Sequence, residues 1–166
     1  GDGYTLLFTS YGFTSNQVLR KNLPYAKTAF KPVALLGSSH NVLLVTNRLK
    51  GKSLSAIIAD AKATPGSLKL ASSGLASSPH IGAEFFAKKV GITFTHVPYK
   101  GGGQGVNDLL SGQVQSAFST LQLALPHVES KRLRLLGVGS LERYPRLPDL
   151  PTLAESGVEG YEAVQW

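Results

Sequence analysis

Cysteine and methionine are both missing from this chain of 166 residues. Without cysteine there is no disulfide framework, no thiol nucleophile and no cysteine-ligated zinc. Without methionine not even a start residue remains, so Gly1 reads as a cut end and Trp166 as an abrupt finish. Long apolar runs are missing too. The longest resemble residues 42–45, whereas a membrane-spanning helix needs ~18 apolar residues. Gly1-Asp2-Gly3 is not a signal peptide. Acids are scarce, ten against 17 Lys and Arg, which leaves a net charge of +7. What is present suffices for a core. Apolar residues are 42% and charged residues 16%, which excludes a disordered polyelectrolyte. A chain of this length can bury ~70% of its unfolded surface.

The basic excess is uneven. Arg20, Lys21, Lys27, Lys31, Arg48, Lys50 and Lys52 face only Asp2 within residues 1–59, while residues 140–166 are acidic. A solvated surface is one reading, and a positive field that concentrates small anions near a cleft is another. Nucleic acid is not expected as a partner. No basic stripe is interleaved with aromatics, and no helix-turn-helix or RNA-binding signature is present.

Strand-like and helix-like segments alternate along the chain. Apolar runs at 4–9, 33–36, 42–46, 68–72, 93–97, 114–118 and 133–138 suit strands. Ser53 is an N-cap for a helix over 54–63, with Leu54, Ile57, Ile58 and Ala61 on one face. Ser78 as N-cap with Pro79 behind it starts a second helix. Its shared face is read as Ile81, Phe85 and Lys88, and its end as Gly91. Further helices are expected over 104–111 and over 121–130, with Pro126 near the first turn of the latter. Thr152 and Glu155 form a capping box for a short helix ended by Gly157. Strand–helix alternation with short loops predicts an α/β fold with a mostly parallel sheet.

Open α/β sheets bind ligands at the carboxyl ends of strands, beside helix N-termini. Several loops fit. Ser73, Gly74, Ser77, Ser78 and His80 combine small hydroxyls with the free amides of a helix start, a setting that attracts carboxylate or phosphate. The plainer reading is that Ser78 only caps and Gly74 only turns. His80 suits either a structural partner or a ligand donor. In the second loop Tyr99 lines a pocket or packs at a hinge, and Lys100 pairs with an anion or is simply exposed. Gly101-Gly102-Gly103 lets backbone approach a ligand closely. Ser119 and Thr120 reach a ligand or cap the next helix. Ser10, Gly12 and Thr14 form a comparable polar loop after the first strand.

Enzyme constellations are weak. No G-x-x-x-x-G-K-[ST] phosphate loop, H-E-x-x-H zinc motif or G-x-S-x-G nucleophile elbow exists. His96 lies within a strand pattern and reads as structural. Asp60, Glu84, Asp108 and Glu129 fall on helix patterns as solvated faces. No catalytic residue, metal or cofactor is assigned.

The motifs Asp2-Gly3-Tyr4-Thr5-Leu6-Leu7, Leu23-Pro24-Tyr25, Leu70-Ala71-Ser72-Ser73-Gly74 with Ser77-Ser78 and His80, His96-Val97-Pro98-Tyr99-Lys100-Gly101, Asp108-Leu109-Leu110-Ser111-Gly112-Gln113-Val114, and Leu147-Pro148-Asp149-Leu150-Pro151-Thr152 with Glu155-Ser156-Gly157 occur in order. Together they resemble the Bug-type receptors of tripartite tricarboxylate transporters, and the likeness runs almost from end to end.

The resemblance implies a type II periplasmic-binding-protein fold, with two α/β lobes closing on a small carboxylate that is passed to a membrane permease. It implies a periplasmic, non-enzymatic protein. By position, residues 10–14 match the first-lobe ligand loop. Ser73, Gly74, Ser77, Ser78 and His80 match the second-lobe carboxylate loop, and Tyr99, Lys100 and Gly101 the loop beside it. Trp166 matches an aromatic near the return crossing. Members often carry an acid where this chain has Ser119, which argues against an amino-acid ligand. The family's chain is nearly twice as long. Residues 38–138 are therefore expected to form a complete second lobe, 1–37 a remnant of the first, and 139–166 the return crossing toward it. Impaired ligand binding and self-association are expected of such a piece. Two alternatives are a ligand-sensing effector domain of a regulator and a hydrolase using Ser73 or Ser77 with His80.

Overall fold

The computed structural model describes residues 3–26, 28–49 and 52–166. Asp2 of the opening motif, and Lys27 and Lys50 of the basic count, lie outside the described residues, as do Gly1 and Gly51.

A mixed sheet carries the fold. Its strands are β1 (Ser39–Thr46), β2 (Lys69–Ser72), β3 (Thr95–Pro98), β4 (Ser116–Thr120) and β5 (Leu133–Val138), in the spatial order β3-β2-β4-β1-β5. A two-residue strand, β6 (Val164–Gln165), pairs with the start of β1. Helices α2 (Leu54–Ala63), α3 (Ser78–Val90), α4 (Gly102–Ser111) and α5 (Leu121–Glu129) alternate with the strands, and α1 (Gly12–Leu19) precedes them.

Helices cover both faces of the sheet, which explains the apolar run of β1. Leu43 and Val45 pack on one side with Leu54 and Ile57 of α2, Phe86 of α3 and Phe118 of β4. Val42 and Leu44 pack on the other side with Val106 and Leu109 of α4 and Leu121 and Ala124 of α5. A strand buried on both faces has no polar face to alternate with. Tyr161, Leu153 and Val158 from the C-terminal segment complete the first core.

Strand direction differs in part from the expected mostly parallel sheet. β2 is parallel to β3 and β4, whereas β1 runs antiparallel to β4, β5 and β6. Four of the five main strands thus share a direction and β1 opposes them. Helical crossovers dictate the direction of β2 to β5. β1 enters from residues 3–38, and α2 joins it to β2 as an opposed strand, so this connection is not a parallel crossover.

Other expectations are corrected locally. No strand forms over 4–9 or 33–36 among the described residues; both stretches are exposed coil. Among the described residues no strand pairs with 33–36. Gly12 and Thr14 lie in α1 rather than in a loop. In α3 the buried side is Pro79, Gly82, Ala83, Phe86 and Ala87. Phe85, read on a shared face with Ile81 and Lys88, is exposed and stacks over Tyr161 at 5.4 Å. Small residues let the helix approach the sheet, and Tyr161 donates its hydroxyl to Gly82 O at 3.0 Å. Pro126 sits inside α5 rather than in its first turn. The Thr152–Glu155 capping box forms, with bonds of 2.8 and 3.0 Å, but it closes a hydrogen-bonded turn and not a helix. Arg143 beside Glu155 holds that carboxyl below its usual range.

Candidate functional site

β2, β3 and β4 end side by side at Ser72, Pro98 and Thr120, and β1 begins there, with Asn41 opposite Thr120. The loops that leave this end of the sheet contain most of the residues singled out above.

The first is 73–77, leading into α3. Ser77, not Ser78, is the N-cap: its Oγ accepts from His80 N at 3.3 Å and donates to Gly74 O at 2.7 Å. Ser78 is drawn inward, where its Oγ accepts from the buried Asn41 Nδ2 at 2.7 Å. Two adjacent serines offered the cap, and a distant asparagine decided between them. Ser73 makes no hydrogen bond among the described residues. Gly74 has φ +127°, and a Cβ there would lie 3.2 Å from Tyr99 O. Only glycine fits both the conformation and the approach. Tyr99 N donates to Ser72 O at 3.1 Å, so the two loops lie against each other.

In the second loop the Tyr99 hydroxyl donates to Asp108 Oδ2 at 2.6 Å, and its ring packs on Gly105. Burial, reinforced by Asp108, pushes the phenol up to about 12. Asp108 was assigned to a solvated face. It is instead half-buried and fastens Tyr99 to α4. Lys100 is exposed, and its amide donates to Gln104 Oε1 at 3.3 Å. Gly101, at φ +148°, is the N-cap of α4 and has no side chain to offer. The amides of Gly102, Gly103 and Gln104 have no acceptor among the described residues. Open amides at a helix start favour an anion.

Ser119 is 4% exposed, and its hydroxyl has no partner among the described residues. It borders a cavity of about 10 Å³ together with Ser72, Gly102 and Gly105, the volume of one water. Thr120 stands at the N-cap of α5, yet its side chain makes no capping bond. The α1 end also reaches this region. Phe13 N donates to Ser10 O at 2.8 Å, Tyr11 N donates to Trp166 O at 3.2 Å, and Ser15 Oγ lies 3.3 Å from Ala76 O.

Two histidines that the sequence left apart meet here. His80 and His96 stack with ring centroids 4.0 Å apart and planes 11° apart. His80 Nδ1 accepts from Ala76 N at 3.0 Å, and Ser72 Oγ lies 2.7 Å from His96 Nε2. Burial first, and the nearby His80 second, hold the His96 imidazole below its usual pKa. Ser15 and Asn41 were not singled out, while Ser72, which opens the first loop, turns inward to His96. Neither Ser15 nor Asn41 has a sequence signature, because each acts through partners distant in the chain.

The hydrolase alternative finds no geometry. Ser77 donates to a carbonyl, and the His80 ring nitrogen nearest the loop is occupied by an amide. The Ser72–His96 contact is the one serine–histidine pair among the described residues, and Ser72 is 2% exposed. Among the described residues no cluster of His, Asp and Glu could hold a metal, and no helix is long and apolar enough to cross a membrane.

Comparison with known proteins places this geometry. The profile described as "Tripartite tricarboxylate transporter family receptor" matches residues 1–166. Protein BugT of Bordetella pertussis is 36% identical over 168 residues, covering 99% of this chain and 52% of that protein. An R. palustris protein solved with adipate aligns with TM-score 0.89 and 35% identity, over 99% of this chain and 56% of that one. The periplasmic binding protein BugD aligns with TM-score 0.85 and 28% identity, over 95% of this chain and 53% of that one. The chain therefore spans about half the length of the relatives it matches.

Proposed function

Because the chain belongs to the tripartite tricarboxylate transporter receptor family, a family of periplasmic solute-binding receptors and not of enzymes, we propose that it forms part of a receptor for small dicarboxylate anions. Residues 38–138 are the second lobe, 1–37 belong to the first, and 139–166 return toward it. The receptor works in the periplasm, and the whole protein delivers its ligand to a membrane permease.

One observation carries this reading. Among the described residues a group of uncommitted donors gathers at this end of the sheet: the Ser73 and Thr120 hydroxyls, the open amides of α4 and the buried Ser119 hydroxyl. Hydroxyls and amides of this kind match carboxylate oxygens. The adipate in the R. palustris relative supports a dicarboxylate. Ser77, Gly74 and His80 shape the loop, Tyr99 and Gly101 place the second one, and Lys100 adds positive charge at the rim. Ser10, Gly12 and Thr14 face the ligand from the other side.

A ligand gripped from two lobes favours the closed state through contacts with both. Isothermal titration with adipate therefore tests the reading at two lengths. The chain of 166 residues binds no better than roughly millimolar. The same chain extended to the length of its relatives binds at least tenfold more tightly. Equal affinity at both lengths would refute the two-lobe grip, and no binding by the extended protein to any di- or tricarboxylate would refute the receptor reading.

A further inference from the structure

The peptide unit of Ala76 is held in a left-handed conformation, φ +60°, that a residue with a Cβ adopts at a cost. It is pinned on both sides. Its amide donates to His80 Nδ1 of α3 at 3.0 Å, and its carbonyl lies 3.3 Å from Ser15 Oγ of α1. Ser15 is the one buried residue of α1 and also lies 3.3 Å from Gly12 O. Ala76 is thus the point where the 73–77 loop is tied to the helix carrying Gly12 and Thr14.

The pin depends on protonation. His80 Nδ1 accepts a hydrogen bond, so that nitrogen carries no proton and the ring is neutral. A proton added there sets two donors against each other and breaks the contact. The stacked His96 opposes a second positive charge 4.0 Å away. The titratable groups facing His80 are Glu84 of α3, 3.7 Å from Nε2, and His96 of β3. Among the described residues the one facing His96 is His80, with Ser72 Oγ of β2 and the Phe94 ring just before β3 as uncharged neighbours. The 73–77 loop and α1 present only hydroxyls and backbone. Glu84 is well exposed and steadies charge on Nε2, but it cannot restore an acceptor at Nδ1.

We propose that His80, stacked on His96, is a proton-operated latch on the 73–77 loop: neutral, it holds Ala76 and the loop formed; protonated, it releases Ala76 and loosens the tie to α1. The sign follows from linkage. The open state takes up the proton more readily, so the latch is closed at neutral pH and loses stability as pH falls below about 6.5, the ordinary value for histidine. The lowered His96 value acts in the same direction, because an imidazole that resists charge when packed favours opening in acid. Regulation of ligand binding by this latch rests on the reading given under Proposed function; the loop opening itself does not.

Hydrogen exchange at the Ala76 amide tests it in the 166-residue chain, after correction for the intrinsic pH dependence. Protection is expected to fall with falling pH across the ordinary histidine range, by up to about tenfold per pH unit. His80→Asn, which sets an unprotonatable oxygen near the Nδ1 position, keeps protection and loses the pH dependence. His96→Gln removes the second titrating imidazole of the stack and keeps the fall. Flat protection in the wild type across this range, or the same fall in His80→Asn, would overturn the latch. Should His80→Asn not fold, loss of the fall in His96→Gln does so instead, because the titrating group would then be His96. Adipate titration of the chain extended to the length of its relatives, by NMR at about pH 8 and about pH 6, then reads the coupling. Affinity drops several-fold in the wild type and not in His80→Asn. Equal drops in both proteins would defeat the coupling, while absence of binding at the higher pH would strike the ligand reading, with the exchange result still deciding the latch.

Discussion

Ser77 and Ser78 are neighbours with the same side chain and opposite duties. Ser77 caps α3 from outside, and Ser78 satisfies a buried amide. Asn41 Oδ1 already has no partner among the described residues, so Ser78→Ala would leave the Asn41 amide largely unbonded in a dry interior. A loss of about 1–3 kcal/mol is expected, read as a lower urea midpoint with unchanged slope. Ser77→Ala loses about 1 kcal/mol, the worth of a cap. If Ser77→Ala proved the more damaging of the two, the assignment of roles would be wrong. The hydroxyl cluster was legible in the sequence because small polar residues after an apolar run have few uses other than turning, capping and binding. The division of labour was not, since it depends on Asn41, 37 positions away. His96 was read as structural, which its burial supports, but its stacking on His80 depends on β2–β3 pairing and has no local signature.

At the scale of elements, segments with both a start signal and a periodic face were readable. Ser53 caps α2, accepting from Ala56 N at 3.2 Å, and Leu54, Ile57 and Ala61 are buried as the spacing implied. β5 occupies 133–138 as read. Failures came where an apolar stretch met no strand among the described residues, as at 33–36, or where the shared face was misplaced, as on α3, whose buried side is Pro79, Gly82, Ala83, Phe86 and Ala87. α5 keeps a proline in its interior, with no N–H to return to the carbonyl one turn back. Pro126→Ala is therefore expected to raise stability by about 1–3 kcal/mol, partly offset by greater freedom in the unfolded chain. Calorimetry should show a thermal midpoint several degrees higher; an unchanged or lower one would mean that the ring's packing matters more than the missing bond.

For the whole molecule, the uneven quality of burial is the main property. The sheet and its helices are closed on both faces, yet residues 5–8 and 33–36 leave Leu6, Phe8, Val33, Leu35 and Leu36 largely exposed, Phe8 and Val33 at 83%. A contiguous exposed apolar stretch promotes association. Sedimentation of the 166-residue chain should show mass rising with concentration, and Phe8→Ser with Leu35→Ser should shift it toward monomer. A wild-type chain that sediments as a monomer at every concentration would rule this out. The fold class was legible at this scale because strand–helix alternation is a global signal. The reversed β1 was not, because its direction is inherited from where the chain enters.

That entry has another consequence. Val42 stands opposite Val138, Gly139 N donates to Asn41 O at 2.7 Å, and Ala163 N donates to Gly139 O at 2.6 Å. The segment between residues 39 and 138 therefore leaves the sheet side by side with its own beginning. In topological terms it is a cassette whose two ends are already closed, so bridging them costs little loop entropy. Its core is completed by Leu153, Val158 and Tyr161, so a piece spliced into a surface turn of an unrelated host through short linkers should run from 39 to 165, whose ends pair as β1 and β6.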